Sequence, residues 1–437
     1  MLELDGAAEF ETSHGAEFFA SLPARPGVLL VEMRQAGAEP YLVRTADLRR
    51  AAERLLGEAE QPPNRLNLRQ VAARVRYRIT GSKFEQTVTH YEQACAHFPG
   101  RYREIARIRP PAVLKVNLRS EYPRCYVTRR IRGDNGLYFG PFASRQAADG
   151  FAEAFLDLFK IRRCQIKIRR DPDFPGCIYS EMKMCLAPCF AACTKEEYEA
   201  EANRVLDTLA TSGAALIQGI EREREQASEA QDFERAAALH KRLEKASGVL
   251  RGLPAIARRV DELNLVILQR GAQEQTVIAF PVQRGMLREP IFLRFAELSS
   301  EPRSVESILR AGLEESASEH FEPAQVASCD QPCVDTTQGL DERKRRYGLR
   351  EAPVELSEHL CLIARWFYSN PRAGEIFFRE ADWPYRRILR ACARLLTSTP
   401  GSADGSEAAS AEQLAALSRE RIKRLKAFSK PRRKPAR

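Results

Sequence analysis

The 437-residue chain sets 69 Lys and Arg against 59 Asp and Glu, for a net charge of +10, and 44% of its residues are hydrophobic. So long a chain divides into roughly two to four domains, and its positive balance favours a polyanionic partner such as nucleic acid. No stretch reaches the roughly 18 to 20 apolar residues of a membrane span and the start, MLELDGAAEFETSHGAEFF, has no basic region leading into an apolar run, so neither membrane insertion nor secretion is expected, and a reducing cytoplasm is.

In chain order, residues 1–20 read as a flexible leader. "PGVLLVEM" and "PYLVR" predict two short strands with a turn at Ala36 and Gly37. Leu48, Ala51, Ala52, Leu55 and Leu56 stand at helical spacing from about Asp47. "RVRYRIT" alternates Val75, Tyr77 and Ile79 with Arg74, Arg76 and Arg78, which predicts a strand with one basic, DNA-binding face. A helix follows to about His97, and residues 21–105 are expected to form one small α/β domain.

Residues 106–198 are expected to form the next domain. "YPRCYVTRRIRGDNGLYFGPF" predicts a β-hairpin turning at Asn135 and Gly136, with Arg129, Arg130 and Arg132 on its first arm as further DNA-binding candidates. A helix over about 145–159 leads into a cysteine-rich stretch. Two long polar helices, broken near 211–213, then carry the chain to about Val249, within a helical segment spanning 199–252. Past Pro254, "LNLVIL", "QTVIAFPV" and "IFLRF" predict strands, followed by helices around 305–313, 357–368 and 383–396, a separate α/β module over 253–398. Residues 399–437 are low-complexity linker and basic tail. The whole is an α+β multidomain chain.

Five of the eleven cysteines fall between Arg162 and Thr194. Cys164, Cys177, Cys185 and Cys189 are spaced C-x12-C-x7-C-x3-C, with Cys193 four residues on. Four thiolates converging from a loop suit a tetrahedral zinc or an iron-sulfur cluster, and the single close pair tilts the choice toward a cluster. Cys95, Cys125, Cys361 and Cys392 are assigned to packing, as are Cys329 and Cys333 despite their closeness.

The blocks "YPRCYVTRR", "LYFGPFASRQAA", "FKIRRC" and "GCIYSEMKMCLAPC", followed by "TKEEYE", resemble the middle of the UvrC family, the excinucleases of nucleotide-excision repair. The resemblance implies that the four cysteines hold a [4Fe-4S] cluster. "ASEAQDFERAAALHKRLEKASGVL" resembles the UVR motif, a helical hairpin through which such proteins meet a UvrB-like helicase, with Phe233, Glu234, Ala236, Ala237 and Leu239 at the matching positions. Lys241 departs from the acidic residue usual there.

The N-terminal block resembles the GIY-YIG nuclease domain, but its chemistry is lost. The first signature Tyr becomes Leu29, the second signature reads Tyr41-Leu42-Val43, the expected Arg falls on Ala51, and the metal-binding Glu falls on His90. Single-metal phosphodiester cleavage needs an anionic oxygen ligand, a proton acceptor and a cation facing the transition state. Leu29, Ala51 and His90 supply none of these for a hard cation, so no catalytic residues are expected. After Arg350 fewer than ninety residues remain, too few for the family's second nuclease domain. The expectation is a UvrC-like protein, truncated and nuclease-inactive, that binds DNA and a UvrB-like partner. Two alternatives stay open: an active endonuclease using Tyr41, Arg50 and Glu92, and a zinc-stabilised adaptor with no DNA role.

Overall fold

A computed structural model describes residues 2–58, 66–134, 136–298, 304–318 and 354–397. The first sheet has the order β1-β4-β2-β3, all antiparallel, from β1 (Gly6–Glu9), β2 (Gly27–Met33), β3 (Tyr41–Thr45) and β4 (Ala72–Ile79). Helix α1 (Ala16–Ser21) precedes β2, α2 (Leu48–Leu56) follows β3, and α3 (Lys83–His97) and the short α4 (Tyr102–Ile105) follow β4. Side chains alternate across β2. Leu29 and Val31 join Leu48, Ala51 and Leu55 of α2, while Val28 and Leu30 join Tyr91 and Ala94 of α3. Asp47 and Ser82 cap α2 and α3 by accepting from the backbone N–H three residues on.

Residues 1–20 are not a flexible leader. β1 pairs along β4, and Leu2, Leu4, Phe10 and Phe19 are buried. Without β1, β4 would be an edge strand with unpaired backbone groups, and the apolar residues flanking β1 anchor it there.

The second sheet runs β6-β5-β7-β8, from β5 (Ala112–Val116), β6 (Cys125–Thr128), β7 (Leu137–Phe142) and β8 (Arg258–Arg259). This corrects the expected hairpin: β6 and β7 each pair with β5 and not with one another. β5 is buried at every position, so the stable place for it is the middle, between two partners. Asn135, the expected turn residue, lies outside the described residues.

Helix α5 (Arg145–Leu156) covers this sheet, the short α6 (Ile178–Glu181) sits in the cysteine stretch, and three helices follow: α7 (Lys195–Ala210), α8 (Ala214–Glu229) and α9 (Phe233–Arg251). The sequence pattern predicts only two. The second break falls at 230–232, where Gln231 takes φ 57° and Asp232 caps α9 by accepting from the Arg235 N–H at 3.0 Å. At the first break Gly213 has φ +95°, and a Cβ there would lie 2.5 Å from Leu250 Cδ1, so only glycine lets the start of α8 reach the end of α9.

The third sheet has the order β11-β10-β9-β13, with β12 also paired to β10, from β9 (Leu265–Arg270), β10 (Thr276–Gln283), β11 (Met286–Leu287), β12 (Ile291–Arg294) and β13 (Glu375–Phe378). Its helices are α10 (Phe295–Leu298), α11 (Val305–Ser318), α12 (Val354–Phe367) and α13 (Tyr385–Thr397). Strand β13 is absent from the sequence-based expectation. Nor does the module stand apart: one core joins Ile267, Phe280, Leu360 and Trp366 to Phe84 and Val88 of α3, Val113 of β5 and Tyr138 of β7. Cys329, Cys333 and the linker and tail lie outside the described residues. Among the described residues no helix is long and apolar enough to cross a membrane.

Helix α12 is locked to the first domain through one carboxylate. Glu358 accepts from Tyr91 Oη at 2.5 Å, from Tyr102 Oη at 2.9 Å and from Arg103 Nε at 2.6 Å. Its side chain is 3% exposed, so removing it leaves three donors facing a void. Glu358→Ala should lower the unfolding free energy by about 3 kcal/mol in urea titrations, the scale for breaking a buried hydrogen-bonded charge.

Candidate functional site

The cysteine loop is rooted by one buried cation. Arg162, two residues before Cys164, donates through Nε to the Tyr122 carbonyl at 2.7 Å and through its terminal nitrogens to the Ile166 carbonyl at 2.8 Å and Ser120 Oγ at 3.2 Å. Its backbone N–H donates to Tyr198 Oη at 3.0 Å, and that hydroxyl donates to the Pro123 carbonyl at 2.8 Å. Sheet, loop and α7 thus share one polar anchor. Beyond it the loop is tightly turned: Gly176, Lys183, Ala187 and Ala191 all have positive φ.

Within this loop Cys189 is buried, while Cys164, Cys177 and Cys185 are half-buried. Burial pushes the Cys185 thiol up to about 11, opposed by the Ala187 N–H that donates to its sulfur at 3.3 Å and reinforced by the charges of Cys164, Cys177 and Cys189. Burial likewise raises Cys189, and Cys177 and Cys164 act on it. Four soft sulfur donors suit zinc or an iron-sulfur centre. Among the described residues no three His, Cys, Asp or Glu side chains are drawn together as a metal-holding group. Cys193 belongs instead to the hydrophobic core, as does Cys125.

Along the α8–α9 hairpin the five expected partner-binding residues divide. Phe233 is 71% exposed, and Glu234 and Ala237 are also exposed. Leu239 is buried in the middle-domain core, against which Ala236 and Leu243 also pack. Helical periodicity assigns Ala236 and Leu243 to the same partner-facing stripe as Phe233; the structure turns them inward because the hairpin already spends one face on its own domain.

The four positions aligned with nuclease chemistry fall on two faces of the first sheet. Leu29 and Ala51 are core residues beneath α2, with Tyr41 packed at the edge of the same cluster. His90 is on α3, across the sheet, and is buried. The displaced set disperses as well. Arg50 has 85% of its side chain exposed beside Asp47, and Glu92 accepts from the Leu2 N–H at 2.6 Å.

The basic strand face of β4 is internally neutralised. Arg74 meets Glu9 at 3.1 Å, Arg76 meets Glu32 at 3.6 Å, and Arg78 meets Glu85 at 3.4 Å and Asp5 at 3.9 Å. Arg129, Arg130 and Arg132 are exposed in the segment after β6. A groove of about 1000 Å³ beside the cysteine loop is lined by Lys160, Lys183 and Lys245 but also by Asp157, Glu197 and Glu201.

Two stretches match family models: residues 112–208 match the middle domain of the UvrC/Cho excinuclease family, and residues 214–248 match the UvrB/uvrC motif. Among curated proteins the chain is similar to the UvrABC system protein C of Dehalococcoides mccartyi, 26% identical over 61% of this chain and 44% of that protein. It is similar to the same protein of Desulforudis audaxviator, 29% identical over 48% of this chain and 34% of the relative, and of Moorella thermoacetica, 24% identical over 72% and 51%. The chain thus spans about half or less of these relatives' length. No solved structure matches.

The divided hairpin makes a stability prediction. Leu239→Ala should cost about 2 to 3 kcal/mol in chemical denaturation and Phe233→Ala less than about 0.5 kcal/mol, since only the first leaves a core cavity. Burial first, then Arg44, Arg365 and Arg107, lowers the His90 pKa to about 4. A depressed folded value means stability that is complete above the unfolded pKa near 6.5 and lost as pH falls toward 4. Between those pH values the wild-type chain should lose more stability than His90→Gln.

Proposed function

We propose that the chain is a UvrC-like protein that serves nucleotide-excision repair by binding DNA and a UvrB-like helicase, without nuclease chemistry of its own. The observation that carries the reading is Phe233, left 71% exposed at the first turn of α9, the second helix of the hairpin that matches the UvrB/uvrC motif. A large apolar side chain held out on a rigid helix start, beside the exposed Glu234 and Ala237, is the shape of an interface anchor.

The exposed basic segment of Arg129, Arg130 and Arg132 would face DNA, taking phosphates through salt-dependent contacts. Arg74, Arg76 and Arg78 would contribute where phosphates displace Glu9, Glu32 and Asp5. Cys164, Cys177, Cys185 and Cys189 would hold a [4Fe-4S] cluster, with zinc as the alternative. Either centre, ligated by four thiolates, would cross-link the loop and leave no coordination position open to substrate. Arg162 and Tyr198 would keep that loop docked on α7.

The loss of catalysis follows from Leu29 and Ala51, which are packed as core, and from His90, which is held neutral among cations. Leu29 cannot exchange a proton, Ala51 cannot reach a phosphate, and His90 cannot anchor Mg²⁺ as a carboxylate does.

Isothermal titration of the full chain with a UvrB-like helicase should give binding that weakens at least tenfold in Phe233→Ala, with an unchanged melting temperature. Equal affinity of the two chains would contradict the partner reading. Anaerobically purified protein should carry iron and acid-labile sulfide in equal amounts and lose both in Cys185→Ala. Stoichiometric zinc would select the alternative centre.

A further inference from the structure

Exposed apolar surface concentrates on the cysteine loop. Among the described residues eight large apolar side chains are exposed, and three of them, Ile166, Ile178 and Met182, stand in this one loop. The Met182 N–H donates to the Ile178 carbonyl at 3.0 Å, so the two side chains share one face across the single turn of α6. Met182 also lines the groove of about 1000 Å³ that the loop shares with α7 and α9. Leu158, Phe159, Met184 and Leu186 give that groove an apolar floor.

The groove carries both acids and bases, but its acids are already committed. Asp157 accepts from Arg163 at 2.7 Å, and Glu201 accepts from Arg204 at 2.7 Å and from the Lys160 N–H at 2.6 Å. Glu197 accepts from the Thr194 N–H at 2.8 Å, as part of the cap of α7. Lys160, Lys183 and Lys245 line the same groove, are exposed, and form no ion pair among the described residues. Arg242 adds a fourth cation, loosely held 4.0 Å from Glu223. The result is an apolar trough rimmed by ammonium groups.

We propose that this groove receives an acidic amphipathic helix of the protein partner that meets the α8–α9 hairpin. The site rests on the partner reading above and adds a second contact to it. Duplex DNA is the poorer fit, because a sugar-phosphate backbone would leave the apolar floor and Met182 without apolar partners. A helix with one apolar face covers such a floor and sets its carboxylates against the lysines. Long Met and Lys side chains can repack around a peptide, whereas a small-molecule pocket aims fixed polar groups at one point. Helix α9 ties the two contacts together. Lys245 lies eleven residues after the exposed Glu234, three turns along the same helix face and about 17 Å away, within the span of one partner segment.

The test is isothermal titration of the anaerobically purified full chain with a UvrB-like helicase. Lys160→Gln/Met182→Ser/Lys245→Gln should weaken binding about tenfold and flatten its salt dependence, with melting temperature and metal content equal to wild type. Lys160→Arg/Lys245→Arg should bind as wild type does. Arg145→Gln/Arg310→Gln, which removes equal charge from exposed arginines paired to Asp149 and Glu306, should also keep its affinity, and an equal loss there overturns the proposal. Helicase affinity of the triple variant equal to wild type overturns it as well. So does a triple variant that keeps the helicase and loses a labelled DNA duplex, which would assign the groove to DNA. Should wild type bind no helicase, the partner reading fails, and a fluorescein-labelled amphipathic peptide of Leu, Ala and Glu, about five helical turns long, decides the groove by anisotropy. Peptide binding lost in the triple variant supports the site, and binding equal in both chains or absent from wild type overturns it.

Discussion

Glu358, buried beneath two tyrosine hydroxyls and a guanidinium, holds the C-terminal helix α12 against α3 and α4. Around that lock the N-terminal domain, the middle-domain sheet and the third sheet share one hydrophobic core, with Phe84 and Trp366 in ring contact across it. The constraint is electrostatic before it is hydrophobic. A carboxylate in that position is tolerable only with its donors in place, so α12 has one seating and not a range of them.

That seating also sets the surroundings of α3 in the first domain. Burial and the cations Arg44, Arg365 and Arg107 all favour neutral His90, which is no substitute for the carboxylate a hard metal ion prefers. On the other face of the sheet Leu29 and Ala51 are sealed under α2. The middle domain follows a parallel logic, in which Arg162 satisfies the carbonyls at the root of the cysteine loop so that the thiols can be offered from a fixed base.

Much of the first domain was legible in the sequence because its signals are local. The Arg74 to Ile79 alternation marks β4, and Leu48, Ala51, Ala52, Leu55 and Leu56 mark α2, all five buried as their spacing requires. What escaped was set by tertiary context. β5 and β13 are short apolar runs without clear alternation, and β5 intrudes between two strands that looked like a hairpin. The break before α9 did leave a signal, Asp232 as an N-cap, hidden inside an otherwise continuous polar helix pattern. Motif spacing marks the cysteines and Phe233 only as candidates, and no local pattern could have joined Glu358 to Tyr91, Tyr102 and Arg103, which lie 255 to 267 residues before it. Leu239 shows the opposite failure, a motif position whose role is settled by the domain beneath it.

The central proposal, a UvrC-like scaffold whose first domain binds without cutting, meets its most direct trial in a nicking assay. Supercoiled plasmid, irradiated and untreated, would be incubated with the anaerobically purified chain, a UvrB-like helicase and Mg²⁺ or Mn²⁺, and strand breaks counted beside a gel-shift of the same mixtures. The account predicts shifted DNA with no nicks above the protein-free background. Metal-dependent nicks that vanish in Glu92→Gln would contradict it.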